Sequence, residues 1–327
     1  MCISVHQLCY VHADKEPLFQ NINLIVNTGQ RLALVGNNGT GKSTLLRIIE
    51  GNLKPSSGEV VCSSRPYYIP QHFGQFDNLT VAEALRVDDR IKALHAILEG
   101  DASAENFTCL NDDWNVEERC LSALASWNLE HLQLSQPMCS LSGGEKTKVF
   151  LSGILVHAPE IILMDEPTNH LDIDMTEWLE EFLRRTNITL LMVTHDRYFL
   201  DRVCNQIVEI DNHTLYNYNG NYSYYLEKRE ERIEIHNAEI DRARNLMRTE
   251  LDWIRRQPQA RGTKAKYRVD AFYELQAKAR QEKSDGQVRL EVKSSYIGSK
   301  IFEAKGICKK FGDLKIIENF DYTFARY

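Results

Sequence analysis

The run Gly36-Asn37-Asn38-Gly39-Thr40-Gly41-Lys42-Ser43-Thr44 sits between the apolar strand pattern Leu32-Ala33-Leu34-Val35 and a helical run, Leu45 to Ile49, and it constrains this chain more than any other feature. Glycines at these positions let the backbone wrap closely round a phosphate, so that successive N–H groups and a helix N-terminus all point at one anion. Lys42 can then neutralise the outer phosphates, and the Ser43 hydroxyl can complete the coordination of Mg²⁺. A glycine-rich loop alone is most often a turn. The full spacing, set between a strand and a helix, points to a nucleoside triphosphate.

A second constellation narrows the chemistry. Leu141-Ser142-Gly143-Gly144-Glu145 precedes a helical run, and Ile161-Ile162-Leu163-Met164-Asp165-Glu166 reads as a buried strand, apolar on both faces, that ends in two carboxylates. The carboxyl end of a parallel strand is where an open α/β sheet places its ligand chemistry, so Asp165 can hold Mg²⁺ and Glu166 can polarise an attacking water. Leu190-Leu191-Met192-Val193-Thr194 is another apolar strand and delivers His195 at its end, within reach of a terminal phosphate. Gln71 closes the strand-like Tyr67-Tyr68-Ile69-Pro70 and can reach Mg²⁺ or the water; by itself it would mean nothing.

The phosphate loop, Gln71, LSGGE at 141 to 145, ILMDEP at 162 to 167, NHLD at 169 to 172 and His195 occur in the order of an ATP-binding cassette (ABC) ATPase, which the chain resembles over roughly residues 3 to 220. The resemblance implies an α/β fold, a P-loop NTPase cassette with a mixed sheet and a helical subdomain. It implies that Lys42 and Ser43 bind phosphate and Mg²⁺, that Asp165 binds Mg²⁺, that Glu166 is the catalytic base and that His195 senses the γ-phosphate of ATP. Ser142, Gly143 and Gly144 would contact ATP held by a different cassette, and Asp172 would signal across the same interface. Glu145 stands where the family more often has glutamine. For stacking on adenine the sequence offers both Tyr10 and His12.

Composition agrees. At 327 residues the chain has room for one α/β domain and something more, and 43% hydrophobic residues suffice for a substantial core. The eight cysteines are scattered without a C-x-x-C pair, which suits buried thiols in a reducing compartment and argues against zinc. Met1 to Tyr10 lacks a basic start followed by an apolar core, and no apolar run approaches a membrane span, so a cytoplasmic protein is expected. A net charge of -7 requires any nucleic-acid contact to be local.

Such a patch exists. Beyond Tyr225 the chain becomes long, charge-rich helix with a thin apolar stripe through Ile235, Ala238, Ile240, Leu246 and Leu251 to Trp253. Pro258 and Gly262 break it, and Tyr267 to Lys283 resumes helical composition, which predicts a helical hairpin. Arg255, Arg256, Arg261, Lys264, Lys266 and Arg268 gather near its tip with no acidic residue between Trp253 and Asp270. Mixed charge on exposed helix is ordinary, but positive charge segregated at a tip beside Trp253 and Tyr267 is what contact with RNA phosphates needs.

The chain then begins again. Ile301 to Cys308 repeats the character of Ile3 to Cys9, and Ile316 to Asp321 lines up with Leu18 to Asn23. The predicted domains are a cassette at 1–222, a helical hairpin linker at 223–292 and the incomplete start of a second cassette at 300–327, as in a truncated twin-cassette protein. Two cassettes, a charged hairpin between them and the run His195 to Asp201 together resemble the class F ABC proteins, the Uup-like and EttA-like translation factors, with the linker most similar to the Uup branch. That resemblance implies the ribosome and tRNA as partners, a second cassette in cis or in trans, and no membrane. The motor subunit of a membrane transporter shares every nucleotide motif, and a catalytically silent ATP-binding fragment is the third reading. The polar stretch from Arg86 to Glu118 does not reveal whether it carries an inserted arm.

Overall fold

Short apolar runs bounded by turn residues build the centre of the molecule, whose computed structural model describes residues 2–12, 17–255, 271–273, 275–277, 300–311 and 314–325. The chain divides into two compact units, residues 1–232 and 233–327.

The first unit opens with strands β1 (Ile3–Val11), β2 (Pro17–Val26) and β3 (Arg31–Val35), then helix α1 (Lys42–Glu50) and strands β4 (Ser57–Cys62) and β5 (Tyr67–Ile69). Helices α2 (Val81–Ala84), α3 (Asp88–Leu98), α4 (Ala104–Leu110), α5 (Val116–Ala125) and α6 (Gly143–His157) follow. The chain continues with β6 (Ile161–Asp165), α7 (Ile173–Arg185), β7 (Thr189–Val193), α8 (Arg197–Val203), β8 (Gln206–Asp211), β9 (Thr214–Tyr218) and α9 (Tyr222–Arg255).

A six-stranded sheet of order β5-β6-β7-β3-β8-β9 is parallel except for β9, which runs antiparallel to β8. A separate antiparallel sheet has the order β2-β1-β4. The central strands are apolar on both sides because both sides are covered. Ile162 and Met164 of β6 join the core under the helices, while Ile161 and Leu163 face a core shared with α1 and the antiparallel sheet. Strand β7 alternates in the same way, with Leu190 and Met192 on one side and Leu191 and Val193 on the other. The adjacent carboxyl ends of β3, β7 and β6 therefore carry the phosphate loop, His195 and the two carboxylates.

Helices occupy the stretch from Arg86 to Glu118 whose organisation the sequence left open; α3 packs on α4, and Ile91, Leu94, Leu110, Val116 and Leu124 feed the helical-side core. Among the described residues no helix is long and apolar enough to cross a membrane. Helix α9 starts earlier than the composition change at Tyr225 suggests. Asn221 supplies the cap, its side chain accepting from the Tyr224 N–H at 3.0 Å and its carbonyl from the Tyr225 N–H at 3.0 Å.

In the second unit β10 (Lys300–Phe311) and β11 (Leu314–Ala325) form an antiparallel hairpin. Three of its four register irregularities repeat those between β1 and β2. The Gln7 N–H donates to Asn23 Oδ1 at 2.9 Å and the Gly306 N–H to Asp321 Oδ1 at 2.5 Å. The Asn21 N–H meets Cys9 Sγ at 3.2 Å, and the Asn319 N–H meets Cys308 Sγ at 3.2 Å. Both asparagines take left-handed backbone, φ 53° and 48°, so one bulged hairpin geometry is built twice.

Candidate nucleotide site

The loop after β3 is shaped by close approaches. Gly41, the residue before α1, has φ +93°, and a Cβ there would lie 2.6 Å from Leu18 Cδ2 and 2.7 Å from Phe19 Cζ. Only glycine accommodates both demands. Lys42 is buried, and its Nζ donates to the Gly36 and Asn37 carbonyls at 2.9 Å each, drawing the loop over its own cation. Burial pulls the Lys42 amine below its ordinary pKa, opposed first by Glu166 and then by Asp165.

Asp165 and Glu166 are both buried at the end of β6, 2% and 6% exposed. Burial raises both carboxyls above the usual range; the neighbouring Ser43 hydroxyl and Tyr68 phenol pull Asp165 back, and the His195 backbone and ring pull Glu166 back. The Tyr68 hydroxyl donates to Asp165 Oδ2 at 3.5 Å, while Asp165 Oδ1 is buried with no hydrogen-bond partner. A buried carboxylate oxygen left bare beside Ser43 and Gln71 is an all-oxygen setting that fits Mg²⁺. Glu166 has left-handed backbone, φ 52°, fixed where its N–H donates to the Val193 carbonyl at 2.8 Å. That turn aims its carboxylate across to β7, where the His195 N–H donates to Oε2 at 3.1 Å and the His195 ring Nε2 lies 3.4 Å from Oε1.

These groups share one cavity of about 460 Å³, lined by Asn38, Gly39, Gly41, Lys42, Ser43, Thr44, Gln71, Asp165, Glu166 and His195, and also by His12, Leu18 and Val193. Gly36, Asn37 and Thr40 act within the loop, Thr40 Oγ1 donating to the Asn37 carbonyl at 2.9 Å. Of the two adenine-stacking candidates, His12 lines the cavity, whereas Tyr10 packs against the core shared with α1. Leu18, Val193 and Tyr68 were not singled out from the sequence. The alternation of β5 could have found Tyr68, since Tyr67 faces the helical core and Tyr68 the other side.

Ser142, Gly143, Gly144 and Glu145 do not line this cavity. They open α6 as a capping box: Ser142 Oγ accepts from the Glu145 N–H at 3.3 Å, and Glu145 Oε2 accepts from the Ser142 N–H at 2.8 Å. The Ser142 N–H and then the Ser142 hydroxyl, each donating to Oε2 at 2.8 Å, hold the Glu145 carboxyl below its usual pKa. A Cβ on Gly144 would come within 2.8 Å of the His170 carbonyl oxygen, so the turn before α7 packs directly on the start of α6. Asp172 caps α7 by accepting from the Met175 N–H at 2.8 Å and pairs with Lys148 at 3.4 Å. Arg255 ends α9. Arg256, Arg261, Lys264, Lys266 and Arg268 lie outside the described residues.

A family model described as ABC transporter matches residues 19–169, and a second model of that description, an extension, matches 208–290. The Haemophilus influenzae energy-dependent translational throttle protein EttA is 32% identical over 99% of this chain and 62% of its own length. An uncharacterized ABC transporter ATP-binding protein, YfmR of Bacillus subtilis, is 31% identical over 98% of this chain and 53% of its own. The chain thus spans 53% to 62% of the length of these relatives. Among solved structures, an ATP-binding subunit of an ABC transporter matches with TM-score 0.52 at 25% identity, covering 67% of this chain and 90% of that one. A dimeric post-hydrolysis ATP-binding cassette bound to ADP and Pi matches in fold, with TM-score 0.53 at 24% identity, covering 66% of this chain and 98% of that one.

Proposed function

The chain belongs to the ABC transporter family of ATP-binding cassettes, and from that premise we propose that it is a class F member, an ATPase switch that acts on the ribosome in the cytoplasm. The observation that carries the ATPase reading is the single cavity in which the phosphate loop, Asp165, Glu166 and His195 meet. ATP enters with its phosphates on the loop and the N-terminus of α1, where Lys42 neutralises the outer oxygens. Ser43, Gln71 and the bare Asp165 oxygen would hold Mg²⁺, which when bound neutralises charge on the β- and γ-phosphates. Water attacks the γ-phosphorus as the bond to the ADP oxygen breaks, and Glu166, kept basic by burial and aimed by the His195 N–H, orients the water and takes its proton. The exposed His195 ring, which lines the cavity beside Glu166, would sense the γ-phosphate.

Ser142, Gly143 and Gly144, set apart from their own cavity, are suited to close another cassette's site, with Asp172 beside them as the signalling residue. The twice-built hairpin supports a second cassette following the linker. The ribosome reading rests on the name of the Haemophilus relative and on the basic stretch from Arg255 to Arg268, which would contact rRNA or tRNA phosphates. The transporter-motor reading is less favoured, because that relative aligns over 99% of the chain, linker included.

Glu166→Gln is expected to keep ATP binding and to lose about 10²- to 10⁴-fold in turnover, the usual contribution of a positioned base, in single-turnover phosphate release. Lys42→Ala is expected to lose both binding and turnover. Equal turnover of Glu166→Gln and wild type would remove Glu166 as the base. Co-sedimentation with ribosomes tests the partner: neutralising Arg255, Arg256, Arg261 and Lys264 together should weaken binding and flatten its salt dependence, and an unchanged slope would return the stretch to a linker.

A further inference from the structure

Strand β8 carries a charge that the nucleotide chemistry does not use. Glu209 is 1% exposed on the last of the parallel strands, between β3, which ends in the phosphate loop, and the antiparallel β9, with Val35 opposite it in register. Four donors converge on its carboxylate. Oε1 accepts from Arg229 Nε at 2.6 Å and from the Tyr225 hydroxyl at 3.2 Å; Oε2 accepts from an Arg232 Nη at 2.9 Å and from the Tyr218 hydroxyl at 3.1 Å. Burial, then the Glu209 charge, pushes both phenols up, Tyr218 to about 12, so both remain protonated donors. Arg232 also bonds Asp211 at 2.9 Å and lies 3.6 Å above the Tyr216 ring. Three of the four donors thus come from the root of α9, and they grip β8 between residues 209 and 211.

That segment is also the rest on which the phosphate loop begins. A Cβ on Gly36 would lie 2.6 Å from the Ile210 carbonyl oxygen, so the loop backbone touches the peptide beside Glu209 directly. A second connection runs from the other side of the site. Helix α8 starts one residue past His195, at its cap Asp196; Arg197 lies 5.4 Å from the Tyr222 ring, and Asp201 accepts from the Tyr222 N–H at 2.6 Å. The first residue of α9 is therefore tied to the element that His195 leads into. A buried ion pair is a poor means of gaining stability, since well-packed apolar groups often do as well; its best-attested use is to select one geometry.

We propose that Glu209, with Arg229 and Arg232, is a positioning network that couples the phosphate loop to the root of α9, residues 222–232. Nucleotide on the loop sets the Gly36–Ile210 contact, the Glu209 cluster carries that setting to the helix root, and by linkage a load on the root alters nucleotide affinity by the same factor. The inference rests on the ATP-site reading and extends it to the element that leaves the cassette.

The test is hydrogen exchange of residues 222–232 in the full chain, with and without MgATP, in the Glu166→Gln background that retains ATP. Nucleotide should slow exchange there about tenfold, within the usual range of coupling between sites. Adding Glu209→Gln should leave ATP binding within about threefold yet reduce that response below about twofold. Arg232→Met, which spares the Arg229 pair, should give an intermediate response and serves if Glu209→Gln fails to fold. A full tenfold response in either folded variant overturns the proposal. So does bound MgATP with no change at 222–232 in the parent protein, an outcome that leaves the ATP-site reading standing; failure of the parent to bind MgATP sinks that reading itself.

Discussion

Beside Gly41, Glu166 in the site and Gly144 at the start of α6 are positions where backbone geometry matters more than side-chain type. Glu166 holds left-handed backbone, φ 52°, to turn its carboxylate toward the His195 N–H. Gly144 is needed because the His170 carbonyl fills the space a methyl would take, at 2.8 Å. Gly144→Ala is expected to cost about 1–3 kcal/mol by overpacking and to displace the turn leading to Asp172, so turnover should fall while nucleotide binding persists. Thermal melts read beside ATP titrations check this; an unchanged melt and unchanged turnover would mean the turn yields freely. At this scale the sequence was informative where spacing carries chemistry. It revealed the loop, the two carboxylates and His195, but not Tyr68 or Glu209, because a tyrosine and an acid in strands have no local pattern until the sheet brings partners to them.

Helix starts explain much of the element scale. Thr80 and Ser142 each open a helix with a capping box, so Ser142→Ala should lose about 1 kcal/mol of stability in chemical denaturation, in addition to any loss of function in trans. In the helical lobe, Asp113 ties the start of α5 to Arg119 at 2.5 and 2.8 Å and to Arg90 of α3 at 3.3 Å. The Arg119 hydrogen bond, then the arginine charges, hold the Asp113 carboxyl below its usual pKa. A depressed folded-state pKa gives stability that is present above the ordinary aspartate range and is lost as pH falls through the folded value. Asp113→Asn should therefore cost about 1 kcal/mol at neutral pH, given the half-exposed arginine partners, and nothing in strong acid. A constant difference across pH 2 to 7 would contradict that assignment. Central strands were legible as continuous apolar runs; the helices between Arg86 and Glu118 were not, because their stripes are short and interrupted by polar residues.

At the scale of the whole molecule the proposed ATPase needs a second cassette to complete its site. The loop, Asp165 and Glu166 face one cavity and Ser142 to Gly144 lie away from it, which is the arrangement the proposal requires. The repeat was visible in the sequence as similar residues; that it extends to Asn21 on Cys9 and Asn319 on Cys308 required coordinates, because a left-handed asparagine in a bulge leaves no periodic trace. The most direct measurement is the mass in solution of the Glu166→Gln variant by light scattering, with and without MgATP, run beside wild-type turnover. The account predicts a 37.8 kDa species that doubles in mass only when MgATP is present. A protein that stays monomeric at saturating MgATP while the wild type hydrolyses ATP at a rate independent of its own concentration would contradict it.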